Sequence, residues 1–435
     1  MEKSRRILVV AYDQLGERQA GPAIRTLALA RELASVGLVD VVYEGEEPAV
    51  EPYDGVSFIR KEEIEGEEEF FGRYSMALVP PLVALIMPGI LETEIPIVVD
   101  LYDPVVWENL ELYREKPEKE RVFQHERHLA ALLVGLLRGD FFLVGGNRQR
   151  DLYLGALMVL NRVNPMTWRV GEGPEQIIGL VPFGVPNEPP PSKDELPVPE
   201  GMDVNVPLIV WGGGMWDWLE PEIVVKAMPE VLRRYPGAKL VFPGTEHPNP
   251  HVPVMGAVKR VKRVAEEVGV NGSIVMAKWL PRGEYLGLLA HASCGVSAHV
   301  PGLESRYAAR TRYLDAIWMG MPMVVSEGDE YAEYIASHKL GVVVRPSNPT
   351  GFAQGILRVL DEGKNSFSGN FVRVRQRLCW RRMAAPLVEW AKAPRKTHGE
   401  GSSFFQEAVG QASPRSRPRD FVSLLMRVME KLKGE

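Results

Sequence analysis

Residues 208–228 read LIVWGGGMWDWLEPEIVVKAM and indicate how the second half of the chain folds. The first four residues are all apolar, which predicts a strand of a parallel sheet, because such strands are covered on both faces. The three glycines at 212–214 let the backbone approach a phosphate or a sugar where a Cβ atom would collide. A segment with helical spacing follows from about Pro221. This order of strand, glycine loop and helix predicts a ligand site at the carboxyl edge of a sheet.

The first half of the chain begins with the same order of elements. RILVVAY, residues 6–12, predicts a strand, and residues 21–37 have the apolar spacing of a helix that begins near Pro22. Gly16 and Gly21 lie in the loop between them. A helix N-terminus at this place presents free N–H groups to an anion, whereas the glycines can also serve only a tight turn. The GxGxxG spacing of a dinucleotide site is absent.

Strand and helix patterns alternate in both halves, on either side of a segment rich in proline and acidic residues at 181–207. A chain of 435 residues suits two domains of about 200 residues each. We therefore predict an α/β fold of two doubly wound, Rossmann-like domains that face each other across a cleft. The predicted segments are an N-terminal domain (1–187), a proline-rich linker (188–207), a C-terminal domain (208–394) and a polar tail with an amphipathic helix (395–435).

Composition argues against several classes of function. The 51 basic and 57 acidic residues give a formal net charge of −6, which disfavours a general nucleic-acid-binding protein. Cys294 and Cys379 are the only cysteines, which disfavours a disulfide framework and a thiolate zinc site and fits a reducing compartment. The sequence has no run of about 18 apolar residues that could span a membrane. These features predict a soluble, cytoplasmic protein.

The C-terminal tail contains an amphipathic segment. Its apolar residues share one helical face: Phe421, Leu424, Leu425, Val428, Met429 and Leu432. Two interpretations are open, a helix that docks on the protein itself and a helix that lies on a membrane surface, helped by nearby arginines. The second interpretation predicts peripheral contact with the inner membrane face through residues 415–433.

Two loops of the second half carry candidate binding residues. Trp216 and Asp217 follow the glycines, and an aromatic face beside a carboxylate suits a sugar ring, although these aromatic residues can equally form a hydrophobic plug. His247 lies in LVFPGTEHPNPH, four positions before His251. The prolines beside these histidines exclude the helix that a zinc-binding pair at this spacing would need. His247 is therefore a candidate ligand contact, and no metal site is predicted.

Two carboxylates end a predicted strand in IPIVVDLYDP, residues 95–104. Asp100 and Asp103 lie three positions apart, whereas an aspartyl-phosphate motif requires two, so we reject a phosphatase. Carboxylates at the carboxyl end of a parallel strand face the ligand edge of the sheet. Asp100 or Asp103 is therefore a candidate for orienting a hydroxyl acceptor.

The stretch ESRYAARTRYLDAIWMGMP, residues 304–322, interleaves charged and apolar residues. Arg310 and Arg312 offer two guanidinium groups to a diphosphate. Asp315 offers a carboxylate to ribose hydroxyls, and Glu304 offers a second carboxylate to a sugar. A salt-bridged surface helix is the alternative. Four apolar residues argue that the helix is buried, where charges are costly unless they are used: Leu314, Ile317, Trp318 and Met319.

Together these motifs resemble those of the GT-B glycosyltransferases of the large retaining family 4. The resemblance rests on WGGGMWDW, FPGTEHPNP and ESRYAARTRYLDAIWMGMP in the second half, and on AGPAIRTLALARELA, DLYDPVVWENLE and VPFGVP in the first. It covers nearly the whole chain. It implies an enzyme of polysaccharide biosynthesis that moves a sugar from a nucleoside-diphosphate sugar to a hydroxyl of a glycan or lipid-linked saccharide, with retention of configuration.

The resemblance also implies where the substrates bind, the donor mainly on the second domain and the acceptor mainly on the first. Family members hold the donor with two glutamates eight positions apart. Asp315 stands where the second, ribose-binding glutamate is expected, while Glu304 lies eleven positions before it and Tyr307 takes the place of the first. The segment AKWLP places Trp279 near the nucleobase. The sequence contains no DxD triplet, so no metal ion and no cofactor besides the donor is expected.

The predicted site has three groups of residues. Glu304 and Asp103 are the predicted catalytic residues. Asp100 and Arg25 are assigned to the acceptor side. The predicted donor-binding residues are Gly21, Gly213, Gly214, Asp217, His247, Trp279, Arg310, Arg312 and Asp315. Two other functions stay open, a nucleotide-sugar epimerase of the same fold and a catalytically weak GT-B protein that binds a nucleotide sugar as a scaffold or partner subunit.

Overall fold

Two parallel β-sheets, one in each half of the chain, form the framework of the computed structural model. The structure describes residues 5–49, 53–64, 68–249, 252 and 255–397. The predicted helix and membrane contact at 415–433 lie outside these residues, as does His251. Within the described ranges, no helix is both long enough and apolar enough to cross a membrane. The predicted α/β class with two parallel-sheet domains is confirmed.

The first domain is built around one sheet. Its strands are β1 (Arg6–Val10), β2 (Leu38–Tyr43), β3 (Val56–Arg60), β4 (Met76–Val79), β5 (Ile97–Asp100), β6 (Phe141–Val144) and β7 (Ile178–Leu180). Their order is β3-β2-β1-β4-β5-β6-β7, and every neighbouring pair is parallel. The helices are α1 (Gly21–Leu33), α2 (Glu68–Phe71), α3 (Val83–Ile86), α4 (Val105–Leu112), α5 (Glu118–Arg138) and α6 (Asn147–Val159). The sheet grows outward in both directions from β1 and β4, so ligands are expected at the carboxyl ends of these strands.

The second domain repeats this plan. Its strands are β8 (Leu208–Trp211), β9 (Lys239–Phe242), β10 (Ile274–Met276), β11 (Cys294–Ser297), β12 (Met323–Ser326) and β13 (Gly341–Val344). Their order is β10-β9-β8-β11-β12-β13, again all parallel. The helices are α7 (Pro221–Arg234), α8 (Ala257–Glu267), α9 (Arg282–His291), α10 (Leu303–Tyr307), α11 (Arg312–Met319), α12 (Glu330–His338), α13 (Pro349–Glu362), α14 (Ser368–Leu378), α15 (Trp380–Met383) and α16 (Ala385–Ala391). The corresponding ligand edge lies at the carboxyl ends of β8 and β11.

Short 3-10 helices occupy several of the connections. Their bounds are Lys61–Glu63, Pro88–Glu92, Pro174–Gln176, Lys193–Glu195, Asn271–Ser273 and Lys364–Phe367. The predicted linker region contains one of them, at Lys193–Glu195. It is closed at its start by a capping box, in which Ser192 and Glu195 satisfy each other's backbone N–H groups.

Burial explains why the apolar runs form strands. All four residues of β6 and all four of β8 are buried, as continuous apolar sequence predicts for central strands. The apolar residues of α11 are buried as well, and this helix ends at Gly320, whose φ of 68° lies in the left-handed region that terminates many helices. The chain then enters β12 directly. The stretch 304–322 therefore contains most of α10 and the buried helix α11, which packs beside the core strand β12.

The end of the described chain returns to the first domain. Trp390 of α16 stacks on Phe141 of β6, with ring centroids 5.4 Å apart and planes 12° apart. The backbone N–H of Trp380 donates to the carbonyl of Val185, 3.0 Å away. From the sequence we grouped residues up to 394 with the second domain, because the pattern of helices continues without a break. The contacts instead fasten residues 379–397 to the first domain, so the chain crosses between the domains twice.

Candidate active site between the two domains

A cleft of about 400 Å³ lies between the carboxyl edges of the two sheets. Both domains line it, and several hydrogen bonds cross it. The Trp279 indole N–H donates to the carbonyl of Gln19 at 3.3 Å, and Arg114 Nη2 donates to the carbonyl of Asp217 at 2.8 Å. The predicted residues that line the cleft are Gly21, Asp103, Gly213, Gly214, His247, Trp279, Glu304, Arg310, Arg312 and Asp315. Ten of the thirteen predicted site residues therefore lie in the cleft wall.

A buried ion pair joins Glu304, the second residue of α10, to Arg310, which follows this helix. Arg310 Nη1 and Nη2 donate to the two carboxylate oxygens of Glu304 at 3.0 and 2.7 Å, and the residues are 5% and 6% exposed. Arg310 Nε also lies 3.8 Å from Asp329 Oδ2. Burial opposes the charge, but the two carboxylates outweigh it and raise the pKa of Arg310 above its usual value. The pair holds the Glu304 carboxylate in the cleft wall, and Arg310 is committed to it.

His299 lies in the same buried layer. It is fully buried, and its Nδ1 is 3.8 Å from Asp329 Oδ2. Burial, together with the charges of Arg310 and Arg312, lowers the pKa of His299 to about 3. His299 is therefore neutral at physiological pH and does not add a positive charge to the cleft.

His299 gives the first testable prediction. The folded state excludes a proton that the unfolded chain binds below about pH 6.5, so His299 should lower stability as the pH falls from about 6.5 towards its folded value of about 3. We expect the melting temperature of His299→Gln to fall less steeply between pH 7 and pH 5 than that of the wild type. Thermal denaturation at half-unit pH steps measures both slopes. Equal slopes in the two proteins would contradict the low pKa.

Arg312 supports the glycine loop. Its Nη1 donates to the carbonyls of Gly212 and Gly214 at 2.7 and 3.3 Å, and its guanidinium lies 5.7 Å from the centre of the Trp211 ring. Burial and the neighbouring Arg310 lower the pKa of Arg312 to about 10, so it remains charged at neutral pH. Among the described residues it has no carboxylate within ion-pair distance. Its positive charge is thus available to an anion beside the loop.

The glycine loop is shaped for a close approach. Gly213 has a φ of 71°, a conformation that side chains with a Cβ atom rarely adopt. A Cβ atom on Gly214 would lie 3.2 Å from the rigid ring of Trp279. The backbone therefore reaches the cleft surface here because both positions lack a side chain.

Asp315 is held by Arg282, a residue that sequence reasoning did not identify. Arg282 Nη1 and Nη2 donate to its two carboxylate oxygens at 2.6 and 2.5 Å. Burial opposes the guanidinium charge, but Asp315 outweighs it and raises the pKa of Arg282. Arg282 begins α9 and is 33 positions before Asp315. The only sequence signal was a basic residue at a helix start after AKWLP, which did not reveal its partner.

Aromatic rings form one side of the donor half. The His247 ring centre lies 5.4 Å from that of Trp216 and 4.9 Å from that of Trp279. Burial lowers the pKa of His247. Its Nδ1 accepts a hydrogen bond from the backbone N–H of Asn249, whose side chain donates across the cleft to Asp13 Oδ1 at 3.0 Å. The rings offer flat faces to a base or a sugar.

A second carboxyl group faces Asp103 and was also missed in the sequence. Glu108 lies on α4, which starts two residues after Asp103, so the helix turns the two side chains towards each other in the cleft wall. Burial raises the pKa of Asp103, and burial together with the Asp103 carboxyl raises the pKa of Glu108 strongly. The interaction with Asp103 favours the protonated form of Glu108. Tyr153 fixes the loop by donating its hydroxyl to the carbonyl of Asp103 at 3.0 Å.

Three predicted site residues are engaged away from the cleft. Asp217 accepts hydrogen bonds from the backbone N–H groups at the start of α8, Gly256 at 3.0 Å and Ala257 at 2.7 Å. Arg25 and Asp100 form a buried, two-pronged ion pair at 2.6 and 2.8 Å. The carboxylate of Asp217 thus caps a helix, and the Arg25–Asp100 pair lies in the core of the first domain. Their predicted substrate contacts stay predictions.

Comparison with known proteins places this geometry in context. Residues 206–362 match the family model described as "Glycosyl transferases group 1". No curated protein matches the chain. Similar solved structures include sucrose-phosphate synthase from Thermosynechococcus elongatus, with 16% identity, a TM-score of 0.56 and coverage of 94% of this chain and 100% of that one. Another is the Anabaena protein HepE in complex with UDP and glucose, with 13% identity, a TM-score of 0.59 and coverage of 88% and 98%.

A third similar structure is a trehalose-6-phosphate protein from E. coli bound with UDP-2-fluoro glucose. It has 11% identity and a TM-score of 0.56, and the match covers 90% of this chain and 100% of that one. Identities this low establish the fold alone. Residues 206–362 are therefore similar to the glycosyl transferases group 1 model, and the two parallel-sheet domains together have the GT-B fold.

Proposed function

We propose that the protein transfers a sugar from a nucleoside-diphosphate sugar to a hydroxyl group of a glycan or lipid-linked acceptor, with retention of configuration. The observation that carries this proposal is the composition of the cleft, whose second-domain side combines guanidinium groups, a glycine loop and a buried carboxylate. Guanidinium groups suit a diphosphate, and the glycines allow backbone to approach it closely. The proposed donor side is the second domain and the proposed acceptor side is the first.

The donor fits the polar groups of the second domain. Arg312 has a positive charge beside Gly213 and Gly214 that is free to meet a phosphate. The Asp315 carboxylate, oriented by Arg282, keeps lone pairs that can accept hydrogen bonds from ribose hydroxyls. These groups supply affinity for the nucleotide without contacting the sugar that is transferred.

The transfer step follows from the same charges. Arg312, the lining guanidinium without a carboxylate partner among the described residues, would stabilise the negative charge that develops on the departing diphosphate. The acceptor hydroxyl attacks the face from which the diphosphate leaves, which retains the configuration. Interdomain hydrogen bonds such as that from Trp279 to Gln19 hold the cleft closed and exclude water, which would otherwise hydrolyse the donor.

We further propose that no metal ion is required. The guanidinium groups provide the positive charge that a divalent cation supplies in other enzymes that act on diphosphates. Within the described part of the chain, no group of three or more His, Cys, Asp or Glu side chains is arranged to hold a metal ion. Independence of metal is a prediction that the following experiment checks directly.

A thermal-shift panel with UDP, GDP, ADP, CMP and dTDP, each with and without Mg²⁺, tests the donor site. We expect one nucleoside diphosphate at about 100 times its Kd to stabilise the protein by about 2.7 kcal/mol, or about 5 °C or more, with no need for Mg²⁺. Asp315→Ala should lose this shift because it removes the proposed ribose contact and leaves Arg282 without its carboxylate.

Glu266→Ala is the matched control. Glu266 is an exposed acidic residue of α8 that does not line the cleft, so its nucleotide-induced shift should equal that of the wild type. If no nucleotide shifts the wild type, the donor assignment is wrong. If the shift survives in Asp315→Ala, the ribose contact is wrong while the donor class stands.

Product analysis separates transfer from the other two functions. The donor found by the panel is incubated alone and with a mixture of saccharide acceptors, and the products are identified by NMR. We expect a new glycosidic linkage of retained configuration. An epimerised nucleotide sugar in the absence of acceptor would indicate an epimerase, and nucleotide binding without turnover would indicate a binding protein.

A further inference from the structure

We propose that the acceptor half of the cleft takes an uncharged polyhydroxyl compound, a sugar or a polyol, and rejects phosphorylated acceptors. This inference rests on the proposed function, because that function assigns the first-domain side of the cleft to the acceptor. It is carried by the carboxyl pair of Asp103 and Glu108, by the charges around that pair, and by polar atoms in the cleft wall that lack partners.

The carboxyl pair is suited to hydroxyl groups. Asp103 follows β5 and Glu108 lies on α4, and both line the cleft. Each carboxyl group has two oxygens, whose lone pairs can accept hydrogen bonds from a ligand in the cleft. A hydroxyl can donate to such an oxygen, and a second hydroxyl of the same sugar can donate to the other carboxyl. Neighbouring hydroxyls on a sugar ring or polyol match this arrangement.

The charges of the first-domain wall exclude a phosphate. Among the described residues that line the cleft, those of the first domain include the acidic Asp13, Asp103 and Glu108 but no lysine or arginine. A bound phosphate needs cationic or N–H donors. The carboxylates that line this wall repel a phosphate, and a partly buried site screens that repulsion less than water does. Two basic side chains of this domain near the cleft are already paired, Arg25 with Asp100 in the core and Arg114 with Glu111.

The arginines of the facing domain do not compensate. Both terminal guanidinium nitrogens of Arg310 donate to the Glu304 carboxylate, and those of Arg282 donate in the same way to Asp315. Arg312 is the remaining cation of the described lining, and it is directed to the glycine loop of the donor half. A phosphate on the acceptor would therefore meet carboxylates on one side and engaged guanidinium groups on the other.

Unpartnered polar atoms mark the place where an acceptor would bind. Tyr102 and His128 line the cleft and are only 7% and 9% exposed, yet the Tyr102 hydroxyl and His128 Nδ1 have no hydrogen-bond partner among the described residues. Buried polar atoms of this kind are normally satisfied. Burial lowers the pKa of His128 to about 4, so its ring is neutral. A sugar hydroxyl that reached either buried atom would form a neutral hydrogen bond, because hydroxyls both donate and accept.

Aromatic rings complete the same wall. The ring of Tyr113 lies 6.1 Å from that of His128, and the ring of Tyr102 lies 5.1 Å from that of Phe183. All four of these rings line the cleft, together with that of Tyr12. Aromatic faces bind the apolar faces of sugar rings. The described lining of this wall thus combines stacking surfaces with neutral and anionic hydrogen-bonding groups and contains no lysine or arginine.

Direct binding without donor tests this inference. The probes are the methyl glycosides of glucose, galactose, mannose and N-acetylglucosamine, each paired with its 6-phosphate, and binding to the full chain is followed by thermal shift. We expect at least one uncharged glycoside to raise the melting temperature and its 6-phosphate to bind at least tenfold more weakly. Glu108→Gln should weaken glycoside binding by about tenfold, which is the effect of losing one hydrogen bond to a charged group.

The control variant is Glu111→Gln. Glu111 lies on the same helix but pairs with Arg114 at 3.4 Å and does not line the cleft, so glycoside binding should equal that of the wild type. Glu108→Gln should fold at least as well as the wild type, because burial disfavours the charge that it removes. A failure to bind can then be assigned to the lost contact.

The outcomes separate this inference from the proposed function. A 6-phosphate that binds better than its glycoside, or equal glycoside binding by Glu108→Gln and the wild type, would overturn it. The absence of any shift with the glycosides at 100 mM would overturn it too. Glycoside binding that depends on Glu108 in a protein that no nucleotide stabilises would support this acceptor class and refute glycosyl transfer.

Discussion

Arg310→Ala should lower the melting temperature by about 10 °C and reduce sugar transfer by at least about a hundredfold. The variant leaves the Glu304 carboxylate buried without the guanidinium that binds both of its oxygens. It also removes the cation beside the buried Asp329 carboxylate. Removing one member of a buried ion pair costs about 3–5 kcal/mol, because the other charge stays desolvated. Differential scanning calorimetry measures the loss of stability, and nucleotide release with donor and acceptor measures the loss of transfer.

Two variants separate stability from transfer at this pair. Glu304→Gln keeps the shape of the side chain and one oxygen for Arg310, and Asp329 still faces Arg310. We therefore expect a smaller fall in melting temperature than in Arg310→Ala, with a large fall in transfer. Arg306→Ala is the matched control, because Arg306 is an exposed residue of the same short helix. Its stability should change by less than about 0.5 kcal/mol. A wild-type melting temperature for Arg310→Ala would show that the ion pair does not stabilise the fold.

The fold was predictable because its pattern is local. A solid apolar strand, a glycine loop and an amphipathic helix follow one another at Leu208–Trp211 and again at Arg6–Val10, and each such unit has one stable way to pack. The return of the chain to the first domain after Leu378 was not predictable. Its helices have ordinary amphipathic patterns, and such a pattern does not specify which of two apolar surfaces it will cover.

The limits of the site prediction have the same origin. Glu304, Arg310 and Asp315 were found because they lie within one short stretch whose charges needed an explanation. Arg282 and Glu108 were missed because their partners become neighbours only through the topology of the sheets. Spacing along a helix identifies groups that share its face, but it does not report what that face meets.

Arg25 and Asp100, which the sequence assigns to the acceptor side, form a buried ion pair in the core of the first domain. Arg25 is 1% exposed, its guanidinium lies 5.0 Å from the Tyr102 ring centre and 4.9 Å from that of Phe183, and Asp100 holds it on two nitrogens. Arg25→Ala should therefore destabilise the protein by about 3–5 kcal/mol, through the unpaired carboxylate and the lost ring contacts. Thermal unfolding monitored by calorimetry measures this effect.

The double variant Arg25→Met with Asp100→Leu distinguishes a core role from the acceptor role that the sequence predicts. Replacing both members of a buried pair by apolar residues of similar volume removes the desolvation cost together with the attraction. The free energy of unfolding of the double variant should therefore lie within about 1 kcal/mol of the wild-type value. If the pair serves only the core, the acceptor KM of the double variant equals that of the wild type. A raised acceptor KM at restored stability would instead mean that the charges act on the substrate through the cleft wall, because the packing that they support would then be intact.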